Sequence, residues 1–187
     1  MVKNEITAEN LRSAFGGESQ AYQRYQVWGE EAEKDGFPNV ATLFEAIAYA
    51  EKVHAGNHFH ALENISGDFL VASGAGFGLG STAENLEGAI AGENFEIEQM
   101  YPSYYLVAKD QEENDAIRSF HYALEAEKIH SKLYSEAKEA VKAGNDYDLE
   151  YVSICSVCGH TVKDDTPEKC PICGAPRSQF KEFGKEE

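Results

Sequence analysis

The chain has 187 residues, of which 33 are acidic and 16 basic, so its formal net charge is -17. This length suits one or two small domains with a real core, and 42% hydrophobic residues exclude a disordered chain. So acidic a surface repels phosphate, and no basic patch offsets it. We therefore expect neither nucleic acid nor a membrane as a partner.

From the sequence we also expect neither a signal peptide nor a membrane span. The N-terminus lacks the basic start and apolar run of a signal peptide, and the longest uncharged window, 69–83, is rich in Gly and shorter than the roughly 20 apolar residues that span a bilayer. We expect a cytoplasmic protein. All four cysteines lie in the last fifth of the chain, which in a reducing compartment favours a metal site over disulfides.

The composition changes near residue 144 and divides the chain into two predicted domains, 1–145 and 146–187. The first repeats apolar residues at helical spacing, which predicts an all-α bundle. Its four predicted helices cover residues 7–35, 38–65, 82–110 and 114–143.

Capping signals support these helix boundaries. Gly36 and Pro38 separate the first two helices, Ser81 and Glu84 form a capping box, and Gly144 ends the fourth helix. We interpret the Gly-rich stretch 66–80 as a crossover connection. Pro102 predicts a kink or a local break in the third helix.

Each predicted helix carries a carboxylate in its buried stripe. The candidates are Glu18; Glu51 with His54; Glu93 with Glu96; and Glu127 with His130, where each pair is three residues apart and shares one helix face. One such pair alone is typical of a solvated surface. Four in register with the core are costly without a compensating charge, and they match the ligand pattern of carboxylate-bridged di-iron bundles.

Four further histidines are not candidate ligands, and of these we interpret His121 as structural. We interpret His58 as a hydrogen-bonded histidine in or beside the core, whereas His60 points away from the stripe. His160 belongs to the second domain, where we expect it to be exposed.

The second domain contains two CxxC knuckles separated by eleven residues, Cys155, Cys158, Cys170 and Cys173. Four thiolates at this spacing predict a tetrahedral site, for which zinc and iron are equally suitable on the pattern alone. Tyr151, Phe180 and Phe183 are the predicted apolar shell of this small β module.

The combination resembles the rubrerythrin family over nearly the whole chain. The segments that carry the resemblance are GESQAYQRY at 17–25, AIAYAEKVHAGNHF at 46–59, GENFEIEQMYP at 92–102, ALEAEKIHSKLY at 123–134 and the two knuckles. The resemblance implies a ferritin-like four-helix di-iron bundle followed by a rubredoxin-like domain with one iron held by four cysteines. It also implies an enzyme that reduces hydrogen peroxide to water and serves in oxidative-stress defence.

The resemblance further implies a role for each candidate. Glu51 and Glu127 would bridge two irons, Glu18 would bind the first, and Glu93 and His130 the second. His54 and Glu96 would be alternative ligands of the first iron, exchanged as its oxidation state changes. Tyr25 and Tyr101 would hydrogen-bond to ligand carboxylates and orient them.

Electron supply follows from the same resemblance. The iron of the four-cysteine site would return electrons to the di-iron site. The chain has no flavin or nicotinamide motif, so its donor would be an external rubredoxin or an NAD(P)H-dependent reductase. The fourth helix rises about 20 Å beyond His130, so we expect it to carry the cysteine module away from its own di-iron site. From this we expect a head-to-tail homodimer in which one chain's cysteine module faces the other's bundle.

Two other functions compete with a peroxidase. A ferroxidase or iron-storage protein of ferritin type would use the bundle but has no use for the cysteine module. A zinc-ribbon adaptor would explain the cysteines but leaves the buried carboxylates without a purpose.

Overall fold

The computed structural model describes residues 1–184, so the last three residues of the predicted second domain lie outside the described part. The helices of the bundle are α1 Glu5–Lys34, α2 Pro38–Ala61, α3 Thr82–Phe95, α4 Tyr101–Asp110 and α5 Asn114–Lys142. A three-stranded sheet follows, with strands β1 Val152–Cys155, β2 Thr161–Lys163 and β3 Phe180–Phe183. An all-α bundle with a small C-terminal β module is therefore confirmed.

The predicted third helix is broken. α3 and α4 are joined by a π-helical turn, Glu96–Met100, and Pro102 stands at the start of α4. Proline has no N–H for the helical ladder, and its ring crowds the carbonyl of the preceding turn. The widened turn takes up this defect directly beside the carboxylates, where π-turns are frequent in functional helices.

The bundle core consists of two apolar clusters with a polar layer between them. One cluster includes Trp28, Phe44 and Tyr134, and the other includes Leu11 and Phe120. The buried carboxylates and histidines of α1, α2, α3 and α5 occupy the layer between the clusters. The metal candidates therefore lie inside the bundle and not on its surface.

The Gly-rich segment crosses the bundle along α1. Ser13 Oγ donates to the carbonyl of Ala72 at 2.9 Å, and Trp28 Nε1 donates to that of Gly78 at 3.0 Å. A Cβ on Gly16 would lie 2.6 Å from Val71 Cγ1. The absence of a side chain at this point of α1 is what lets the crossover lie so close.

The C-terminal sheet has the antiparallel order β2-β1-β3. Each knuckle turns through a glycine of positive φ immediately after its second cysteine, Gly159 at +79° and Gly174 at +77°. Phe180 packs against the cysteines, but Phe183 contacts Tyr49 of α2 instead, with ring centroids 5.6 Å apart. The predicted apolar shell is thus divided between the metal site and the bundle.

The module lies on its own bundle. After α5 the chain returns to the start of α2, where the backbone N–H of Asn39 donates to the Asp146 carboxylate. Further along α2, the side chain of Asn57 donates to the carbonyl of Val157 in the first knuckle. These contacts span about 27 Å of α2. The expectation that α5 carries the module away from its own di-iron site was wrong, because a linker of about nine residues turns back along α2.

Within residues 1–184, no helix has the length and apolar character that a membrane span needs.

Candidate metal centres

The structure brings six ligand candidates together at the middle of the bundle. Glu18 comes from α1, Glu51 and His54 from α2, Glu93 from α3, and Glu127 and His130 from α5; all six are at most 1% exposed. The helical offset of three residues puts each Glu–His pair on one face. His54 Nδ1 lies 2.9 Å from Glu51 and 3.0 Å from Glu127, and His130 Nδ1 lies 2.7 Å from Glu127.

These side chains form two overlapping sets of ligand atoms, and within each set all atoms lie within 4.8 Å of one another. The first set is Glu18, Glu51, His54 and Glu127, and the second is Glu51, Glu93, Glu127 and His130. Glu51 and Glu127 belong to both sets. Two metal ions bridged by these two carboxylates are the arrangement that such an overlap can hold.

Buried polar atoms without a hydrogen bond show that the site fits cations. Within the described residues, Glu18, Glu51 and Glu93 each have such a carboxylate oxygen. Buried polar atoms normally have partners, so these are free for coordination. Four carboxylates carry -4, which two divalent cations neutralise while both histidines stay neutral.

The pKa shifts of the ligand candidates also indicate a site for cations. Burial, with the nearby carboxylates, raises the pKa of Glu18, and burial raises the pKa of Glu93 to about 8. Burial alone would lower the pKa values of His54 and His130, but the Glu127 and Glu51 carboxylates outweigh it and raise both. The metal-free site therefore takes up protons, and bound cations replace them.

Two buried tyrosines donate hydrogen bonds to ligand candidates. Tyr25 OH donates to Glu93 Oε1 at 2.6 Å, and Tyr101 OH donates to Glu18 Oε1 in a short hydrogen bond. Both rings are at most 2% exposed. Each bond restricts a carboxylate to one orientation.

Glu96 is placed differently from the other candidates. It begins the π-helical turn, is only partly buried, and contributes no atom to either ligand set. Burial and the charges of Glu127 and Glu93 raise its pKa, while Arg24 opposes the shift. It stands beside the site and not within it.

The four cysteines converge at the tips of the knuckles. The Sγ atoms of Cys155 and Cys173 are 3.6 Å apart, and those of Cys158 and Cys170 are 3.5 Å apart. A tetrahedral site with metal–sulfur bonds near 2.3 Å has sulfur–sulfur edges of about 3.8 Å, whereas a disulfide needs about 2.05 Å. All four are free thiols that fit one metal ion.

The two centres contact each other through the first knuckle. A Cβ on Gly159 would lie 2.0 Å from His54 Nε2, and Thr161 Oγ1 lies 2.7 Å from His130 Nε2. His160, expected to be exposed, is only 8% exposed and lies near His130. Burial and the neighbouring His130 lower the pKa of His160 to about 4.

Three polar residues near the site were missed from the sequence. Tyr134 and Ser119 are buried on the site-facing side of α5, and Arg24 lies over the rings of Tyr25 and Trp28. Their spacing held a signal, since Ser119 precedes Glu127 by two helical turns and Tyr134 follows it by two. His60 is exposed, as expected, and His58 is fully buried.

Comparisons with known proteins agree with this geometry. A family model described as rubrerythrin matches residues 9–138, and one described as rubrerythrin, rubredoxin-like domain, matches residues 154–181. The chain belongs to the rubrerythrin family.

Full-length relatives support this family assignment. The chain is 52% identical to rubrerythrin-2 of Clostridium acetobutylicum, over 97% of this chain and 99% of that protein. It is 34% identical to a rubrerythrin of Nitratidesulfovibrio vulgaris, over 98% and 97%. A structure titled as a mixed-valence state of nigerythrin superposes with a TM-score of 0.83 at 30% identity, covering 98% of this chain and 88% of that one.

Rubrerythrins are generally oxidoreductases that bind iron, and both kinds of site are present in this chain. Its cofactors are two non-haem irons in the ferritin-like bundle and one iron in the rubredoxin-like four-cysteine site. The family also uses external electron donors.

Proposed function

We propose that the protein is a non-haem di-iron peroxidase that reduces hydrogen peroxide to water and serves in oxidative-stress defence. The observation that carries the proposal is the contact between the two centres: Gly159, which follows the thiolate ligand Cys158, lies against His54 of the first ligand set. A site that only stores iron has no use for an attached one-electron carrier.

The proposed ligand assignment follows the two sets. Glu51 and Glu127, which belong to both sets, would bridge the irons, Glu18 would bind the first, and Glu93 and His130 would bind the second. A bound ferrous pair would supply two electrons, one from each iron, which is the number needed to cleave the O–O bond of peroxide. The chain's own contribution is to exclude bulk water and to fix the carboxylates through Tyr25 and Tyr101.

His54 and Glu96 are the proposed exchangeable ligands. His54 is already in the first set, whereas Glu96 stands outside both sets on the π-helical turn. Oxidation adds one positive charge at each iron, which favours a carboxylate over a neutral imidazole. The irregular turn gives Glu96 a backbone that can adjust, since it lies outside the regular α-helical ladder.

Electron return uses the docked module in this proposal. The path runs from the Cys158 thiolate along the backbone to Gly159 and across the contact to His54. A second contact joins Thr161 to His130. Because tunnelling weakens steeply with distance, this contact is the preferred route between the centres.

The electron donor, the compartment and the assembly complete the proposal. An external rubredoxin or an NAD(P)H-dependent reductase supplies electrons, and free thiolate ligands suit the reducing cytoplasm. A head-to-tail homodimer would make the same contact between chains. Mixing a Cys155→Ser variant with a Glu127→Ala variant tests it: recovered peroxidase activity supports exchange of modules, and no recovery supports docking within one chain.

The experiment for the proposed activity separates a peroxidase from a ferroxidase. Donor-linked peroxide consumption and ferrous-iron uptake are measured for the wild type and for Cys170→Ser. A peroxidase loses donor-linked turnover in the variant while its reduced bundle is still oxidised once by peroxide. Ferric iron accumulating far beyond three per chain, equally in both proteins, would show an iron-storage function instead.

A further inference from the structure

A chain of hydrogen bonds connects Glu18 to the outside of the bundle. Tyr101 OH donates to Glu18 Oε1, the Tyr101 oxygen lies 3.0 Å from His58 Nε2, and His58 Nδ1 lies 2.8 Å from Ser119 Oγ. Glu18, Tyr101 and His58 are fully buried, and Ser119 is 4% exposed. This series of hydrogen bonds thus crosses the interior of the bundle from α1 through α4 and α2 to α5.

The outer end of this chain opens into a pocket of about 200 Å³ between α2 and α5. Ser119 lines the pocket together with polar side chains that include Asn57, Glu63, Asp115 and Arg118. A polar space of this size holds water, since one water needs only about 30 Å³ of liquid volume. Ser119 is therefore the point where the buried chain meets solvent.

The hydrogen bonds of this chain all point in one direction. Tyr101 has one proton, which it donates to the Glu18 carboxylate, so its oxygen accepts from the Nε2–H of His58. His58 is fully buried, and the Glu18 Oε1 atom 3.8 Å from its Nε2 already accepts from Tyr101, so the imidazole is neutral and its single proton is on Nε2. Nδ1 then carries no proton and accepts from the Ser119 hydroxyl.

We propose that Ser119, His58 and Tyr101 form a proton relay from the surface pocket to the Glu18 side of the di-iron site. The inference rests on the proposed peroxidase function. Reducing one peroxide to two waters breaks the O–O bond and consumes two electrons, one from each ferrous ion as it becomes ferric, and two protons from solvent. Each relay member accepts a proton as it passes one on, so none of them stores charge.

The relay meets a need that the buried site creates. Its ligand candidates are at most 1% exposed, so bulk water does not reach them directly. A path made of hydroxyl and imidazole groups delivers protons without opening the site.

The kinetic test compares three variants with the wild type. The iron-loaded, fully reduced protein is mixed with peroxide in H2O and in D2O, and oxidation is followed in a single turnover. Ser119→Ala is expected to slow oxidation at least about tenfold and to change the solvent isotope effect, because it removes one proton-transfer group. Ser119→Thr keeps the hydroxyl and restores the rate, while Ser135→Ala, on the same helix, matches the wild type.

A second measurement does not depend on activity. Nitrogen-15 NMR of the zinc-loaded protein reports which nitrogen of His58 carries the proton, and Nε2–H is expected. The metal content of Ser119→Ala should equal that of the wild type. An Nδ1–H tautomer, or a Ser119→Ala rate within about twofold of wild type with an unchanged isotope effect, would overturn the relay. A wild type that peroxide does not oxidise would instead refute the proposed function.

Discussion

The contact between Gly159 and His54 predicts a selective effect of adding one methyl group. In Gly159→Ala the new Cβ would lie 2.0 Å from His54 Nε2 and 2.5 Å from Cδ2. Comfortable contact needs about 3.5 Å, so the knuckle and the imidazole must separate by about 1.5 Å. His54 has no free space for this movement, because it is 1% exposed and confined by Glu51 and Glu127.

Gly174 provides the matched control. It follows the second knuckle as Gly159 follows the first, with φ +77° against +79°, but an added Cβ would meet nothing within 4 Å. Both alanines carry the same left-handed backbone cost of about 1–2 kcal/mol. Any difference between the two variants therefore measures the contact with His54.

The assay follows electron transfer from the iron of the four-cysteine site after peroxide is added to the fully reduced protein. Gly159→Ala is expected to delay the return of the ferric thiolate band at least about tenfold, since misplacement by about 1 Å is costly at a reactive site. Gly174→Ala should resemble the wild type. If both variants keep wild-type rates and metal content, the route through Gly159 is wrong.

Three further predictions concern stability and ligand support. The metal-free bundle should be more stable near pH 5 than near pH 8, because the pKa values of Glu93, at about 8, and of His54 and His130 are raised in the folded state, and the stability that their protonation gives is lost as pH rises. Thermal melting followed by circular dichroism measures this, and a rise in stability from pH 5 to pH 8 would contradict it. Loading with metal should reverse the trend, since protons compete with cations for the same atoms, and equal slopes for both forms would count against the metal site. Tyr134→Phe should leave the free energy of unfolding unchanged or raise it by up to about 1 kcal/mol, because the buried Tyr134 hydroxyl has no partner in the described residues. Tyr25→Phe should weaken iron binding, because it removes the hydrogen bond to Glu93, and equal iron affinities in the two variants would refute this distinction.

Local sequence signals predicted much of the fold. The caps at Gly36, Ser81 and Gly144 placed helix boundaries within a few residues, since each depends on short-range backbone chemistry. Pro102 indicated the break in the third helix, and the π-helical turn Glu96–Met100 lies directly before the helix that Pro102 begins.

The candidate site could be predicted because its residues violate the helical pattern. Carboxylates such as Glu18 and Glu127 stand where apolar residues are expected, and that contradiction is visible in the sequence. Their assignment to individual irons stays a prediction, as does the domain boundary at 145.

The docking of the cysteine module was not predictable from these signals. It depends on pairs more than 100 residues apart, such as Asn39 with Asp146 and His54 with Gly159, which no local period records. For the same reason His160 was expected to be exposed, although it is only 8% exposed and lies near His130. The predicted dimer rested on the same missing information.

One measurement tests the central claim most directly. The iron-loaded protein is reduced without oxygen and titrated with peroxide while the ferric thiolate band is recorded. Three ferrous ions hold three electrons and each peroxide takes two, so the band should return fully at about 1.5 peroxides per chain. A band that stays bleached while the bundle iron is oxidised, or a colourless zinc-loaded four-cysteine site that supports full turnover, would contradict electron transfer between the two centres.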